Sequence, residues 1–228
     1  MIYSPYEKEI WDYLVNKIGN EIGVAALMGN LYAESSLIYG RLQSDFTATY
    51  APSKSYTQEL NAGNITENDF VYTKIYTYNG NRYGPAYGLA QWDYSPRRQN
   101  YWNFFHQWNM QAGSARFELD FLWWELSNDY VNVLNTLQNA TSIRAASDVV
   151  LAQFENPADQ SENVKQTRAQ FGTNIYNEYS GTPIDPDPPS PDPPYYPAVS
   201  APWAAVLYYI TRRRNNTLYA RSKRGLKK

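Results

Sequence analysis

GNLYAESS, residues 29–36, sets one glutamate at the end of a small, apolar run. The residues just before it, IGVAAL at 22–27, read as a buried helix. A carboxylate carried out of a core to a helix end has two readings. Glu34 is either an ordinary solvated residue or an acid whose proton is held by an apolar wall. Burial disfavours the charged form of a carboxyl, so an acid of the second kind stays protonated near neutrality. It can then give its proton to a leaving oxygen, as glycoside hydrolysis requires.

The surroundings of Glu34 read as mostly helical. Tyr6, Ile10, Leu14 and Ile18 recur every fourth residue and mark a first amphipathic helix. A second helix covers about 21–35, with Glu34 in its last turn. Between 37 and 86 Gly, Asn, Thr and Tyr become frequent, which predicts a small lobe of short strands and loops. Ser95-Pro96 opens a third helix, with Ser at the cap and Pro in the first turn. Further helices are expected at about 114–127, 130–139, 142–155 and 160–179, with the turn Asn156-Pro157 before the last. Glu34 then sits where a helical lobe meets an irregular one, a natural place for a cleft.

Composition narrows the chemistry. The 228 residues include 22 Tyr and 7 Trp, rings that serve as core filler or as flat surfaces for sugars. There is no Cys, which excludes disulfides and thiolate metal sites. The single His106 excludes a multi-histidine metal centre. No metal and no cofactor are expected. MIYSPYEKEIWDYL at the N-terminus carries four charges where an export signal has its apolar stretch, so no signal peptide is expected. No apolar run approaches the roughly 20 residues of a membrane span.

Charge divides the chain. Residues 1–180 hold 12 Lys+Arg against 19 Asp+Glu, a net of −7, and residues 203–228 hold 8 Lys+Arg and no acid, a net of +8. Between them, 181–202 carry nine of the 14 prolines. Each removes a backbone donor and restricts its neighbour, so this segment reads as an extended, semi-rigid spacer. The expected domains are a globular body over 1–180, a proline-rich linker over 181–202 and a basic, aromatic tail over 203–228.

A second motif, YGLAQW at 87–92, gives Glu34 its context. Gly88 permits a tight backbone approach, and Gln91 offers a donor and acceptors suited to sugar hydroxyls. Trp92 offers an apolar face or a packing anchor. Alone, the hexapeptide reads as a strand entering a turn with a buried Trp. FELDFLWWEL at 117–126 has the spacing of a core helix, and Glu125 and Glu155 read as buried hydrogen-bonding ties.

Taken together, Gly29-Asn30 with Glu34-Ser35, then Tyr87 to Trp92, FELDFLWWEL and FENP at 154–157 resemble the phage tail lysozyme family. Arg168-Ala169 and Ile175-Tyr176 suit that family's last helix, and the likeness runs over about residues 5–180. The chain is also similar to the cell-wall domain of the tail-knob proteins of small podoviruses. The resemblance implies an α+β, mainly α fold: a lysozyme-like helical lobe with a small β/loop lobe. It implies cleavage of the glycan strands of peptidoglycan, with Glu34 as general acid and Tyr87, Gln91 and Trp92 as cleft residues. A second carboxylate is left open among Asp45, Glu59, Glu67, Asp69 and Asp93, with Asp45 and Asp69 the leading candidates. An inverting enzyme would hold it about 6.5–9.5 Å from Glu34, a retaining one about 5–5.5 Å. A lytic transglycosylase would need none.

The expected setting is the virion, with residues 203–228 docking into another tail protein and the spacer holding the enzyme off. The alternatives are a lysis-stage endolysin and a wall-binding scaffold that does not cut. Specific nucleic-acid binding is not expected.

Overall fold

The computed structural model describes residues 4–181. The linker and the basic tail expected beyond them lie outside the described residues. Within 4–181 the fold is mainly helical, with one two-stranded ribbon, as the α+β reading requires.

The centre is α2, Glu21–Ser35. Every residue from Gly23 to Leu31 is buried, so this helix is covered on all sides. Asn20 caps its start by accepting from the Gly23 amide at 3.1 Å. It ends where Ser36 and Leu37 both turn left-handed, at φ 57° each. The amphipathic α1, Glu7–Ile18, lays Ile10, Leu14 and Ile18 on the core. Tyr6 lies before that helix and is 38 % exposed, so the predicted stripe begins one step later.

The remaining helices are α3 (Ala51–Asn61), α4 (Ser95–Gln107), α5 (Ala115–Asn128), α6 (Val131–Gln138), α7 (Ile143–Val150) and α8 (Glu162–Tyr179). Ser114 and Ser142 cap α5 and α7 through their side chains. Ser95 is the first residue of α4 rather than its cap, which falls on Tyr94. The helix expected over 142–155 changes pitch at Leu151 and finishes as a π-helical turn, Leu151–Glu155. Asn156, at φ 47°, stops it.

The lobe between α2 and α4 differs from expectation. It contains α3, an 11-residue helix, where only strands and loops were predicted. Pro52, Tyr56 and Leu60 give that helix its buried stripe. A second π-helical turn covers Asp69–Thr73. The strands β1 (Tyr76–Tyr78) and β2 (Asn81–Tyr83) pair antiparallel, Tyr76 opposite Tyr83, around Asn79-Gly80. Both turn residues have positive φ, as a tight hairpin of this twist needs. YGLAQW is a turn closed on itself rather than a strand: the Tyr87 and Trp92 backbones bridge each other, and Tyr87 also bridges Leu42.

Two glycines decide how the helical lobe packs. A Cβ on Gly29 would lie 2.4 Å from the Arg168 carbonyl oxygen, and one on Gly172 would lie 2.6 Å from that of Ala25. The backbones of α2 and α8 therefore touch, and this contact brings Glu34 beside Arg168. A methyl group here has no flexible side chain to push aside. Gly29→Ala is expected to cost about 3 kcal/mol, the upper end of overpacking penalties. Urea unfolding would measure it, and an unchanged midpoint would show that the crossing has slack.

Candidate active site

The GN-x-x-x-ES motif places three side chains on α2 with distinct duties. Gly29 admits α8. Asn30, fully buried, donates to the Ala26 carbonyl at 3.0 Å and the Ser147 hydroxyl at 2.9 Å, which ties α2 to α7. One turn on, Glu34 keeps 21 % of its side chain exposed and accepts from Arg168 Nη2 at 2.5 Å. Arg168 Nη1 meets Asn30 Oδ1 and carbonyl oxygen at 3.4 Å each. The neighbour of Glu34 is thus a guanidinium from α8, which matches neither the fully solvated residue nor the apolar wall of the two sequence readings.

The second motif is joined to the first through Arg41. This residue is 8 % exposed. Its Nη1 donates to Ser36 Oγ at 2.7 Å and its Nη2 to the Asp45 carbonyl at 3.2 Å. Its own carbonyl accepts from the Gly88 amide at 2.8 Å and from Gln91 Nε2 at 2.9 Å. Gln91 is half-buried, adopts φ 44° and also donates to the Gly88 carbonyl at 2.9 Å. Tyr87 and Trp92 have no exposed surface and so present no face to a sugar in this structure. The Tyr87 hydroxyl bonds Thr57 at 2.7 Å, and Trp92 Nε1 donates to Glu125 at 2.6 Å.

Each acid considered as a second carboxylate has other partners. Asp45 is fully buried. Its oxygens accept from the amides of Thr47 and Ser53, at 3.1 and 3.0 Å, and from both of their hydroxyls. Burial alone would raise the Asp45 carboxyl, but these donors outweigh it and hold the group below the usual carboxylate range. Asp69 is exposed and accepts from the Thr66 hydroxyl at 2.6 Å. Glu59 holds Asn64, Glu67 holds Gln99, and Asp93 pairs with Lys74 at 3.1 Å.

Three acids behind the motifs, two of them buried and Glu155 half-buried, behave differently from one another. Glu118 accepts from the Gly40 amide at 3.0 Å, the Leu89 amide at 2.8 Å and the Tyr101 hydroxyl at 3.2 Å. It therefore clamps α5 onto the loop after α2 and onto the YGLAQW turn. Burial pushes its carboxyl up to about 8 despite those three donors. Glu125 ties α5 to α4, taking both Nε and Nη2 of Arg97 at 2.8 Å. Glu155 does not match the tie predicted for it: its Oε1 is sealed from solvent and accepts no hydrogen bond. His106 is exposed, with a ring nitrogen 2.9 Å from the Trp102 carbonyl oxygen.

Sequence reasoning did not assign site roles to Arg41 and Arg168. Arg168 was legible only as part of a family-like last helix, and Arg41 carried no signal beyond a cation in an apolar stretch. Among the described residues no cluster of His, Cys, Asp and Glu could hold a metal ion, and no helix is long and apolar enough to cross a membrane.

Glu34 thus stands on the last turn of a buried helix, and the loop that follows is clamped to the YGLAQW turn by the buried Glu118. The sequence model of the phage tail lysozyme family matches residues 6–179, and the chain belongs to that family. No curated protein matches the chain. Membership puts the chain in a class of lysozyme-like peptidoglycan hydrolases associated with phage tails.

Proposed function

We propose that the chain is a virion-associated glycosidase that cuts the glycan strands of peptidoglycan as the phage enters its host. Glu34 acts as general acid. The observation that carries this reading is the position of Glu34: the last turn of α2, partly exposed, oriented by Arg168 and backed by Asn30. Glu34 protonates the glycosidic oxygen as the bond to the anomeric carbon breaks. Gln91, fixed by its amide nitrogen, has its amide oxygen left for a sugar hydroxyl or N-acetyl group. Tyr87 and Trp92 serve the cleft by holding the Gln91 turn in place. The other engagements of Asp45, Asp69 and the remaining loop acids support a route that needs one acid. In that route the C6 hydroxyl of the same sugar closes on the anomeric carbon and returns its proton to Glu34. Residues 203–228 are proposed to dock the enzyme to another tail protein.

Two measurements test the reading together. Purified cell walls treated with the protein should release glycan fragments, and mass spectrometry of their ends separates anhydro products from hydrolysed ones. Mass spectrometry of purified particles should find the chain, and deletion of 182–228 should remove it from particles while cleavage in solution persists. Wall binding without any fragment release would make the protein a scaffold. Absence from particles would make it a lysis-stage enzyme.

A further inference from the structure

Phe46 is the most exposed large apolar side chain among the described residues, at 83 %. It lies in the loop between α2 and α3, and that loop is fastened around it. Asp45, the residue before it, is fully buried and accepts from the amides and hydroxyls of Thr47 and Ser53. The ring itself is braced by Arg41. That guanidinium carbon lies over the Phe46 ring, 5.7 Å from its centroid, and over the Tyr50 ring at 5.3 Å. An exposed ring held in this way keeps the face turned away from Arg41 free.

Arg41 is also the residue that joins the parts of the candidate site. Its Nη1 donates at 2.7 Å to Ser36 Oγ, two positions past Glu34, and its carbonyl accepts from Gln91 Nε2 at 2.9 Å. One buried arginine therefore fixes the end of the acid-bearing helix, the Gln91 turn and the Phe46 ring together. A pyranose ring of a β-1,4-linked glycan carries its substituents equatorially and shows axial C–H groups on its faces. Those weakly positive hydrogens fit the negative face of an aromatic ring. Phenylalanine has no polar tip that needs water, and a ring already braced loses little freedom when a ligand covers it.

We propose that Phe46, braced by Arg41 and Tyr50, is a stacking platform for one sugar ring of the glycan strand, in a binding subsite adjoining Glu34. This deepens the glycosidase reading given above and rests on it for the identity of the ligand. The stacked sugar does not itself react, so the contact is made equally in the ground state and the transition state. Its loss therefore falls on KM rather than on kcat.

The test compares the full chain with Phe46→Ala, Phe46→Tyr and Phe46→Leu on soluble glycan strands stripped of their peptides. Phe46→Ala is expected to raise KM roughly tenfold, the upper part of the range for an aromatic contact. Phe46→Tyr keeps a flat ring and should restore KM, whereas Phe46→Leu is apolar but not flat and should behave like Ala. The ring is exposed, so all three should melt with wild type. An unchanged KM in Phe46→Ala, or a Leu that serves as well as Phe, overturns the platform. So does a loss that follows a lowered melting temperature and is not restored by Tyr. Proton NMR of the same strands bound to Glu34→Gln reads the contact without cleavage: axial sugar protons should shift upfield, and Phe46→Ala should abolish the shift. If wild type releases no fragments while strand binding still depends on Phe46, the platform stands and the cleavage reading falls. Cleavage indifferent to Phe46 leaves that reading and overturns the platform, and a chain that binds no strand overturns both.

Discussion

Glu34→Gln is expected to fold and to lose at least about 10²-fold in turnover on cell walls, the lower end for a missing general acid. The amide has the carboxylate's shape and can still accept from Arg168 Nη2, which now lies 2.5 Å from Glu34 Oε1. What it lacks is a proton to give. Arg168 is buried and Glu34 keeps 21 % of its side chain exposed, so leaving the guanidinium without its counter-charge should lower the melting temperature without preventing folding. Dye release from labelled walls, read beside a thermal melt, measures both effects. Near-wild-type release by a folded variant would remove Glu34 from the chemistry.

The largest loss of stability is expected from Glu118→Ala. Three donors, the amides of Gly40 and Leu89 and the hydroxyl of Tyr101, would lose their acceptor inside a site with no exposed surface. Each orphaned donor costs about 1–3 kcal/mol, and the cavity adds to the sum. The total rivals the 5–15 kcal/mol that holds a typical domain together. The variant should fail to accumulate as folded protein, and a normal melting curve would refute this account of the clamp. The same residue gives stability a pH dependence. Its carboxyl rises from 4.5 to about 8 on folding, so the folded chain binds this proton more tightly than the unfolded one. The contribution is complete below 4.5 and is lost progressively as pH rises through 8. The wild-type melting temperature should therefore fall across this window. The fall should be shallower in Glu118→Gln.

The helices that frame the site were legible because their signals are local. Ile10, Leu14 and Ile18 show a face, and the unbroken apolar run through Leu31 shows a helix with no solvent side. The stripe of α3, Pro52-Tyr56-Leu60, was equally regular but diluted by Ser, Thr and Lys between its members. Asn79-Gly80 was a readable hairpin signal in a segment dominated by loop composition. Aromatic rings gave no direction: Trp92 suits a sugar or a core, and here it is buried against Tyr101 and Phe121. The position of Glu34 could be read, but its partner could not. Arg168 lies 134 positions away, and no local pattern reports a contact of that span.

That span has a consequence during synthesis. Gly29 and Gly172 must meet before α2 and α8 can close, so the acid-bearing helix waits for nearly the whole body of the domain to emerge from the ribosome. Contacts this distant in sequence form late, because the intervening chain has to be ordered first. A nascent chain stalled or cleaved before residue 168 carries Glu34 without Arg168. Such a fragment cannot assemble the oriented acid, and the cell that makes the protein meets the complete site only after translation has passed the last helix.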